Sequence, residues 1–189
     1  MIIGKHYIPM IISGCKGGGL MTVYSICPSE KYGFFTSHSL DEMNLLVDKI
    51  KNNSFGRNSC IKNMEVNKKL GNICPIEISC LSVALDSKAK EILNLQNTRI
   101  PIECNEEFEF VVPSVVDALD TQKSDISFFK ENNDIKRINK YYFNIEQLRN
   151  IDLFIIPNCL TPVMCTDRFY DCCKQNKLTG ISFKMIFRE

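Results

Sequence analysis

Residues 155–187 of this 189-residue chain have the sequence IIPNCLTPVMCTDRFYDCCKQNKLTGISFKMIF. The first apolar residues predict a strand, and Thr166 is a hydroxyl residue suited to capping the helix that follows. Asp167 would place negative charge in the first turn, where the helix dipole favours it. Thr179 and Gly180 predict the end of the helix, because glycine takes the left-handed conformation that ends many helices. The stretch therefore predicts a strand, a capped helix, a glycine turn and a final strand.

The apolar residues of this stretch follow the period expected of each element. Four positions at helical spacing predict one buried stripe, formed by Phe169, Cys172, Cys173 and Leu178. Three alternating positions then predict a half-buried final strand, with Ile181, Phe183 and Met185 on its apolar side.

The same pattern occurs earlier in the chain. Residues 83–93 align with residues 163–173 so that the capping, basic, acidic and apolar positions match. In both copies, alternating apolar residues follow the helix. Two copies are too few for a solenoid, which needs three or more stacked units. The repeat therefore predicts a single domain with two lobes.

A third helix is predicted near the N-terminus. Ser39 and Glu42 form a capping box, which predicts a helix over residues 40–51. Its buried stripe would comprise Leu40, Met43, Leu46, Val47 and Ile50.

The remaining elements are mostly short strands joined by polar turns. Strands are predicted within residues 1–12, 20–24, 73–85, 99–104, 108–116, 126–129 and 138–143, with one helical turn at 145–150. This irregular alternation favours an α+β fold, with a mostly antiparallel sheet and a few packed helices, over a doubly wound parallel sheet.

Length and composition bound the class of protein. A chain of 189 residues with 44% hydrophobic and 24% charged residues is an ordinary globular protein. We expect residues 1–75 and residues 76–189 to form one continuous domain. The net charge of +1 argues against a dedicated nucleic-acid binder. No stretch approaches the roughly 20 apolar residues of a membrane span.

The charge is unevenly distributed along the chain. Residues 1–75 carry a net charge of +4, residues 76–129 carry −6 and residues 130–189 carry +3. The acidic third has two interpretations, a solvated strand face or a docking surface for a basic partner. Its carboxylates are concentrated at Glu103, Glu106, Glu107, Glu109, Asp117, Asp120 and Asp125.

Ten cysteines raise the question of a metal site or a lipid anchor. No two of them are separated by two residues, so the paired spacing of structural zinc sites is absent and no cofactor is predicted. Several occupy apolar positions, where a reduced thiol behaves as a small hydrophobe in the cytoplasm. Residues 12–15 match the motif of bacterial lipoproteins, with Cys15 as the lipid attachment site, but the apolar run before it is short. A lipid-anchored periplasmic binding protein is therefore an alternative.

Catalytic motifs are missing from the sequence. Nucleophilic catalysis usually needs a histidine base, and the only histidines are His6 and His38. No HExxH or GxSxG motif occurs. A small enzyme would need a pocket around one of these histidines, and we predict no catalytic residue.

Three motifs together resemble a bacterial family. VDALDTQKS at residues 116–124, LFII at 153–156 and LTGISF at 178–183 occur in the order and spacing of the immunity protein eleven family. The helix predicted at residues 87–93 has a counterpart there as well. The resemblance extends over residues 76–187.

The resemblance implies a small cytoplasmic protein encoded beside a polymorphic toxin. It would neutralise that toxin by binding, without catalysis. The toxin would be delivered by type VI or contact-dependent secretion. The expected partner is the toxin domain in a one-to-one complex, with a homodimer as an alternative assembly. Asp117 and Asp120 would cap turns, and Gly180 would supply backbone freedom. As a hypothesis, the toxin surface would be formed by Glu103, Glu106, Glu107, Glu109, Asp117 and Asp120.

Overall fold

The structure is a computed structural model that describes residues 20–56, 58–129, 135–157 and 159–189, without the side chains of residues 160 and 161. The strands predicted within residues 1–12, together with His6 and the motif at residues 12–15, lie outside the described residues.

The described residues form three α-helices, one 3-10 helix and thirteen strands. The helices are α1 (Leu40–Lys51), α2 (Ser87–Leu93) and α3 (Asp167–Gln175), and the 3-10 helix is Ile145–Leu148. The strands are β1 (Thr22–Pro28), β2 (Phe35–Ser37), β3 (Met64–Val66), β4 (Ile73–Ile76), β5 (Ser82–Leu85), β6 (Arg99–Pro101), β7 (Glu109–Val111), β8 (Ser114–Val115), β9 (Asp125–Phe128), β10 (Ile135–Lys140), β11 (Leu153–Ile156), β12 (Cys159–Thr166) and β13 (Ile181–Arg188). The predicted α+β class is confirmed.

A five-stranded sheet contains both ends of the described chain. Its strand order is β13-β1-β12-β11-β8, and only β8 pairs in parallel. Strand β1 lies between β12 and β13, so that Val23 is opposite Thr166 on one side and Phe187 on the other. The first strand therefore joins the two strands that flank α3.

A six-stranded sheet has the order β3-β2-β4-β5-β7-β6. Strands β5 and β6 both pair antiparallel to β7, just as β12 and β13 both pair antiparallel to β1. Helices α2 and α3 thus each connect two strands that flank a third. Whether the molecule is organised as two lobes stays a prediction.

Two hydrophobic cores lie on opposite faces of the five-stranded sheet. Along β11, Leu153 and Ile155 face the first core, whereas Phe154 and Ile156 face the second. The first core is shared with the six-stranded sheet and includes Phe35, Leu85, Phe110 and Phe169. The second includes Val23, Leu119, Phe143, Leu148 and Met164. Every side chain of β11 is buried, as expected of a strand covered on both faces.

Helix α1 has the predicted bounds. The Ser39 Oγ accepts a hydrogen bond of 3.2 Å from the backbone N–H of Glu42, as a cap should. Leu46 and Ile50 are buried, but the side chain of Leu40 is 67% exposed, so its predicted burial is wrong. At about 100° per residue, Leu40 points roughly 100° away from the direction midway between Leu46 and Ile50.

Helix α3 also begins where predicted, after Thr166. The Thr166 hydroxyl does not cap it, and instead donates to the carbonyl oxygen of Ile151 at 2.8 Å. The prediction that Gly180 ends the helix is wrong. The helix ends at Gln175, and the left-handed conformation is taken by Lys177, with a φ of 52°.

Gly180 has a different role, at the start of β13. Its φ is +113°, and a Cβ there would overlap the carbonyl oxygen of Ile73. It also lies against the backbone of Gly71. The Thr179 carbonyl accepts a hydrogen bond of 2.9 Å from the Ile73 N–H at the same place. Only a residue without a side chain lets the two sheets approach this closely.

Candidate functional site

The acidic residues predicted to bind a partner fall into two groups. Glu103, Glu106 and Glu107 lie in the connection between β6 and β7, at the edge of the six-stranded sheet, and Glu109 is the first residue of β7. Asp117 and Asp120 follow β8, at the edge of the five-stranded sheet. No ion pair or hydrogen bond joins the groups within the described ranges.

The connection between β6 and β7 is a well-ordered turn. The N–H of Asn105 donates to the Ile102 carbonyl, and that of Phe108 donates to the Asn105 carbonyl, both at 3.2 Å. The Asn105 side-chain oxygen also accepts from the N–H of Glu107 at 3.1 Å. Phe108 is buried and stacks edge-on against Phe35. This apolar anchor and the local hydrogen bonds hold the glutamates at fixed places on the surface.

Two of these glutamates are neutralised by the chain itself. The Glu103 carboxylate lies 3.6 Å from the Lys62 ammonium. The Glu109 carboxylate lies 3.2 Å from the Lys90 ammonium and 3.7 Å from the Arg99 guanidinium. Glu109 therefore helps to join β6, β7 and α2, and little of its charge is available to a partner.

The two aspartates after β8 differ in their contacts. The Asp120 Oδ1 accepts from the N–H groups of Gln122 and Lys123 at 3.2 and 3.1 Å, so its predicted role as a turn cap is right. The Lys123 ammonium, 3.0 Å away, donates to the Asp120 carboxylate and lowers its pKa. Asp117 is exposed and accepts no hydrogen bond from any described residue, so its predicted role as a turn cap is wrong.

Three of the six carboxylates thus have no cationic partner among the described residues. They are Glu106, Glu107 and Asp117, and all three are exposed. Uncompensated surface charge acts over about 8 Å at physiological salt, so these groups can attract a basic surface before contact.

A cleft of about 470 Å³ adjoins the connection between β6 and β7, which we call the acidic turn. Glu107 and Phe108 form one wall, and Tyr32 and Lys69 contribute to its lining. Asn72, Asp86 and Thr179 also line this cleft. The cleft therefore connects the acidic turn to the place where the two sheets meet.

Asn72 has a structural role that the sequence did not reveal. Its side-chain NH₂ donates to the Asp86 carboxylate at 2.8 Å. Its side-chain oxygen accepts from the Thr179 N–H at 3.2 Å and from the Thr179 hydroxyl at 3.0 Å. Asp86 also caps α2, accepting from the Ala89 N–H at 2.7 Å. One amide thus links the start of α2 to the turn that precedes β13.

Glu77 is a second residue that sequence reasoning missed. Its side chain is largely buried, and its Oε1 accepts from the N–H and the hydroxyl of Ser37 at 2.6 and 2.8 Å. Its Oε2 accepts from the Thr36 hydroxyl at 3.0 Å. A glutamate inside the apolar run ICPIEISC at residues 73–80 was the available signal. The carboxylate stabilises the turn between β4 and β5 against β2.

The histidine and cysteine side chains form no metal site in the part of the chain that is described. His38 is exposed, with its Nδ1 4.0 Å from a Glu65 oxygen. Within those residues, no group of three His, Cys, Asp or Glu side chains could hold a metal ion. Cys74, Cys80 and Cys165 are buried thiols. Burial raises the pKa of Cys74 to about 12 and raises those of Cys80 and Cys165 as well, which keeps these thiols protonated and unreactive.

A comparison with protein families gives a match to the C-terminal part of the chain. The model of the Immunity protein family (Imm11) matches residues 106–187, which confirms the resemblance over the segment that contains the three motifs. The resemblance predicted for residues 76–105 lies outside this match. The match begins within the acidic turn and ends in β13, so it includes Glu106, Glu107 and Asp117 but neither Asn72 nor β1. No curated protein matches the chain.

Proposed function

We propose that this protein is an immunity protein that neutralises a bacterial toxin by binding it. The match of residues 106–187 to the immunity protein family carries the proposal. In this role the chain acts in the cytoplasm as a binding protein and not as an enzyme. None of its described helices has the length and apolar character needed to cross a membrane.

The toxin is delivered by type VI or contact-dependent secretion in this proposal, and it forms a one-to-one complex with the protein. The chain acts as one continuous domain. The position of β1 between β12 and β13 supports this, because residues from both predicted regions share one sheet.

In this proposal, the predicted acidic surface attracts the toxin electrostatically. Of the six carboxylates, we assign the strongest attraction to Glu106, Glu107 and Asp117, which have no cation beside them among the described residues. A toxin domain that acts on nucleic acid presents a basic surface to the phosphates. Exposed carboxylates would steer such a surface into the complex and raise the association rate.

The test starts with the polypeptide encoded immediately upstream of this protein. Tagged protein should capture it in a one-to-one complex, and co-expression should restore growth to cells that produce it. If the protein neither captures this polypeptide nor restores growth, the immunity role is refuted.

The acidic surface is tested with the triple variant Glu106→Lys, Glu107→Lys and Asp117→Lys. We expect at least about tenfold weaker toxin binding, mostly from slower association and most pronounced at low salt. The matched control reverses Glu30, Asp48 and Glu91, which are also exposed. Equal affinity of both triple variants, with wild-type protein still protecting cells, would reject the acidic surface and leave the immunity role intact.

A further inference from the structure

Strands β9 and β10 form a two-stranded ribbon that pairs with no other described strand. Its register places Phe128 opposite Ile135 and Ile126 opposite Ile138. An isolated ribbon is marginally stable by itself. Here Ile126, Ile135 and Ile138 pack against the second core, which fixes the ribbon to the five-stranded sheet.

The end of β9 presents two adjacent phenylalanines to solvent. Phe128 is 48% exposed and Phe129 is 44% exposed. The other large apolar residues that are exposed in the described ranges stand singly along the sequence. Aromatic side chains contribute large contact area and dominate the energetics of protein interfaces. This pair therefore offers an apolar contact to a partner.

The ribbon also carries an excess of positive charge. Lys136, Arg137 and Lys140 are exposed, and Asp125 is the only carboxylate within the described part of the ribbon. None of the three cations forms an ion pair with a described residue. The Lys136 ammonium lies 5.9 Å from the centroid of the Phe129 ring, so that one cation stands beside the aromatic pair. Arginine and aromatic residues are the types enriched where protein interfaces are strongest.

We propose that this ribbon is the apolar anchor of the toxin interface. Its occupant is a surface of the toxin with an apolar pocket for Phe128 and Phe129 and with carboxylates that pair with Lys136 and Arg137. The inference rests on the proposed immunity function and adds a second contact, because the acidic turn belongs to the other sheet. Two contacts of opposite charge fix the orientation of the toxin.

A protein fits the ribbon better than a nucleic acid does. Its net excess is only two positive charges, and the chain as a whole is near neutral, with −6 over residues 76–129. Binding to single-stranded nucleic acid needs a continuous positively charged groove beside the stacking platform. The ribbon also lies inside the segment that matches the immunity family, at residues 106–187.

The test measures, by calorimetry, binding of the full-length protein to the polypeptide encoded immediately upstream of it, which is the toxin in the proposed function. We expect the variant Phe128→Ala, Phe129→Ala to bind at least about 30-fold more weakly, as the loss of two interface anchors predicts. The variant Lys136→Glu, Arg137→Glu should also bind more weakly, and it alters only exposed side chains. The controls Leu45→Ala and Lys88→Glu, which change an exposed apolar and an exposed basic residue elsewhere, should bind within about twofold of wild type.

Each outcome decides the proposal. If wild-type protein binds the toxin and both ribbon variants bind equally well, with unchanged circular dichroism spectra, the anchor is refuted and the immunity role stands. If wild-type protein does not bind the toxin, both proposals fall. A labelled single-stranded oligonucleotide is the second probe. Binding to it that the ribbon variants lose, with toxin affinity unchanged, would assign the ribbon to nucleic acid and refute the anchor.

Discussion

Replacement of Gly180 by alanine should severely destabilise the protein. The added methyl group meets the carbonyl oxygen of Ile73, a backbone atom that cannot rotate away. The backbone at position 180 also has a φ of +113°, which a residue with a Cβ rarely adopts. Relief of the overlap requires β13 to move away from β4.

Three terms contribute to the size of the effect. Forcing alanine into this conformation costs about 1 to 3 kcal/mol. Overpacking against fixed backbone costs about 1 to 3 kcal/mol more. Separating the strands also weakens the hydrogen bond from the Ile73 N–H to the Thr179 carbonyl, worth about 1 kcal/mol. We expect the free energy of unfolding to fall by about 3 to 6 kcal/mol, the sum of these ranges with part of the clash relaxed.

Urea denaturation followed by circular dichroism measures this change, and a thermal scan should show a fall in Tm of about 10 to 20 °C. Gly56→Ala is the matched control. A Cβ at Gly56 would come no closer than 3.9 Å to the Ser59 hydroxyl, so the free energy of unfolding should change by less than about 1 kcal/mol. A loss below about 1 kcal/mol for Gly180→Ala would refute the close approach of the sheets.

Two further predictions concern the hydrogen bonds of Asn72 and the buried thiols. Asn72→Ala removes the hydrogen bonds to Asp86 and Thr179 and should lower the free energy of unfolding by about 2 to 3 kcal/mol, measured by urea denaturation. The control Asn58→Ala, at an exposed position, should lower it by less than about 0.5 kcal/mol. Equal effects of the two variants would contradict the link that Asn72 makes between α2 and the turn before β13. Burial raises the pKa of Cys74, Cys80 and Cys165 in the folded state, so the unfolded state binds fewer protons as the pH passes the ordinary thiol pKa of about 8.5. The free energy of unfolding should therefore be unaffected by these thiols below about pH 8 and fall progressively above it, measured in reducing buffer; a constant value up to about pH 10 would contradict their burial.

The positions at which helices begin could be predicted from the sequence, because a cap acts within one turn of the residue that supplies it. Ser39 and Asp86 accept from backbone N–H groups three residues later, and both helices begin where those residues predict. Strand order could not be predicted in this way. Nothing local to Thr22 indicates that its partners lie near residues 167 and 188.

Gly180 shows the limit of a local argument. Its sequence context, LTG after a helix, is typical of a helix stop, but its conformation serves a contact with Ile73. The acidic residues show the same limit, since the sequence located them but not Lys62, Lys90 and Arg99, which neutralise two of them. The exposed phenylalanines of β9 also looked like ordinary strand residues. Burial and pairing depend on distant parts of the chain, which a single sequence does not specify.

The central position of β1 has a consequence for how the protein is made. The Thr22 N–H donates to the Asp167 carboxylate, 145 positions along the chain, and both neighbouring strands are translated after almost every other element. At about 5 to 20 residues per second, β1 waits on the order of 7 to 30 seconds for its partners. The six-stranded sheet contains only β2 to β7, so its strands are complete much earlier. During synthesis the six-stranded sheet can therefore form while β1 is still unpaired. We expect chaperones to bind this exposed apolar strand until the C-terminus leaves the ribosome.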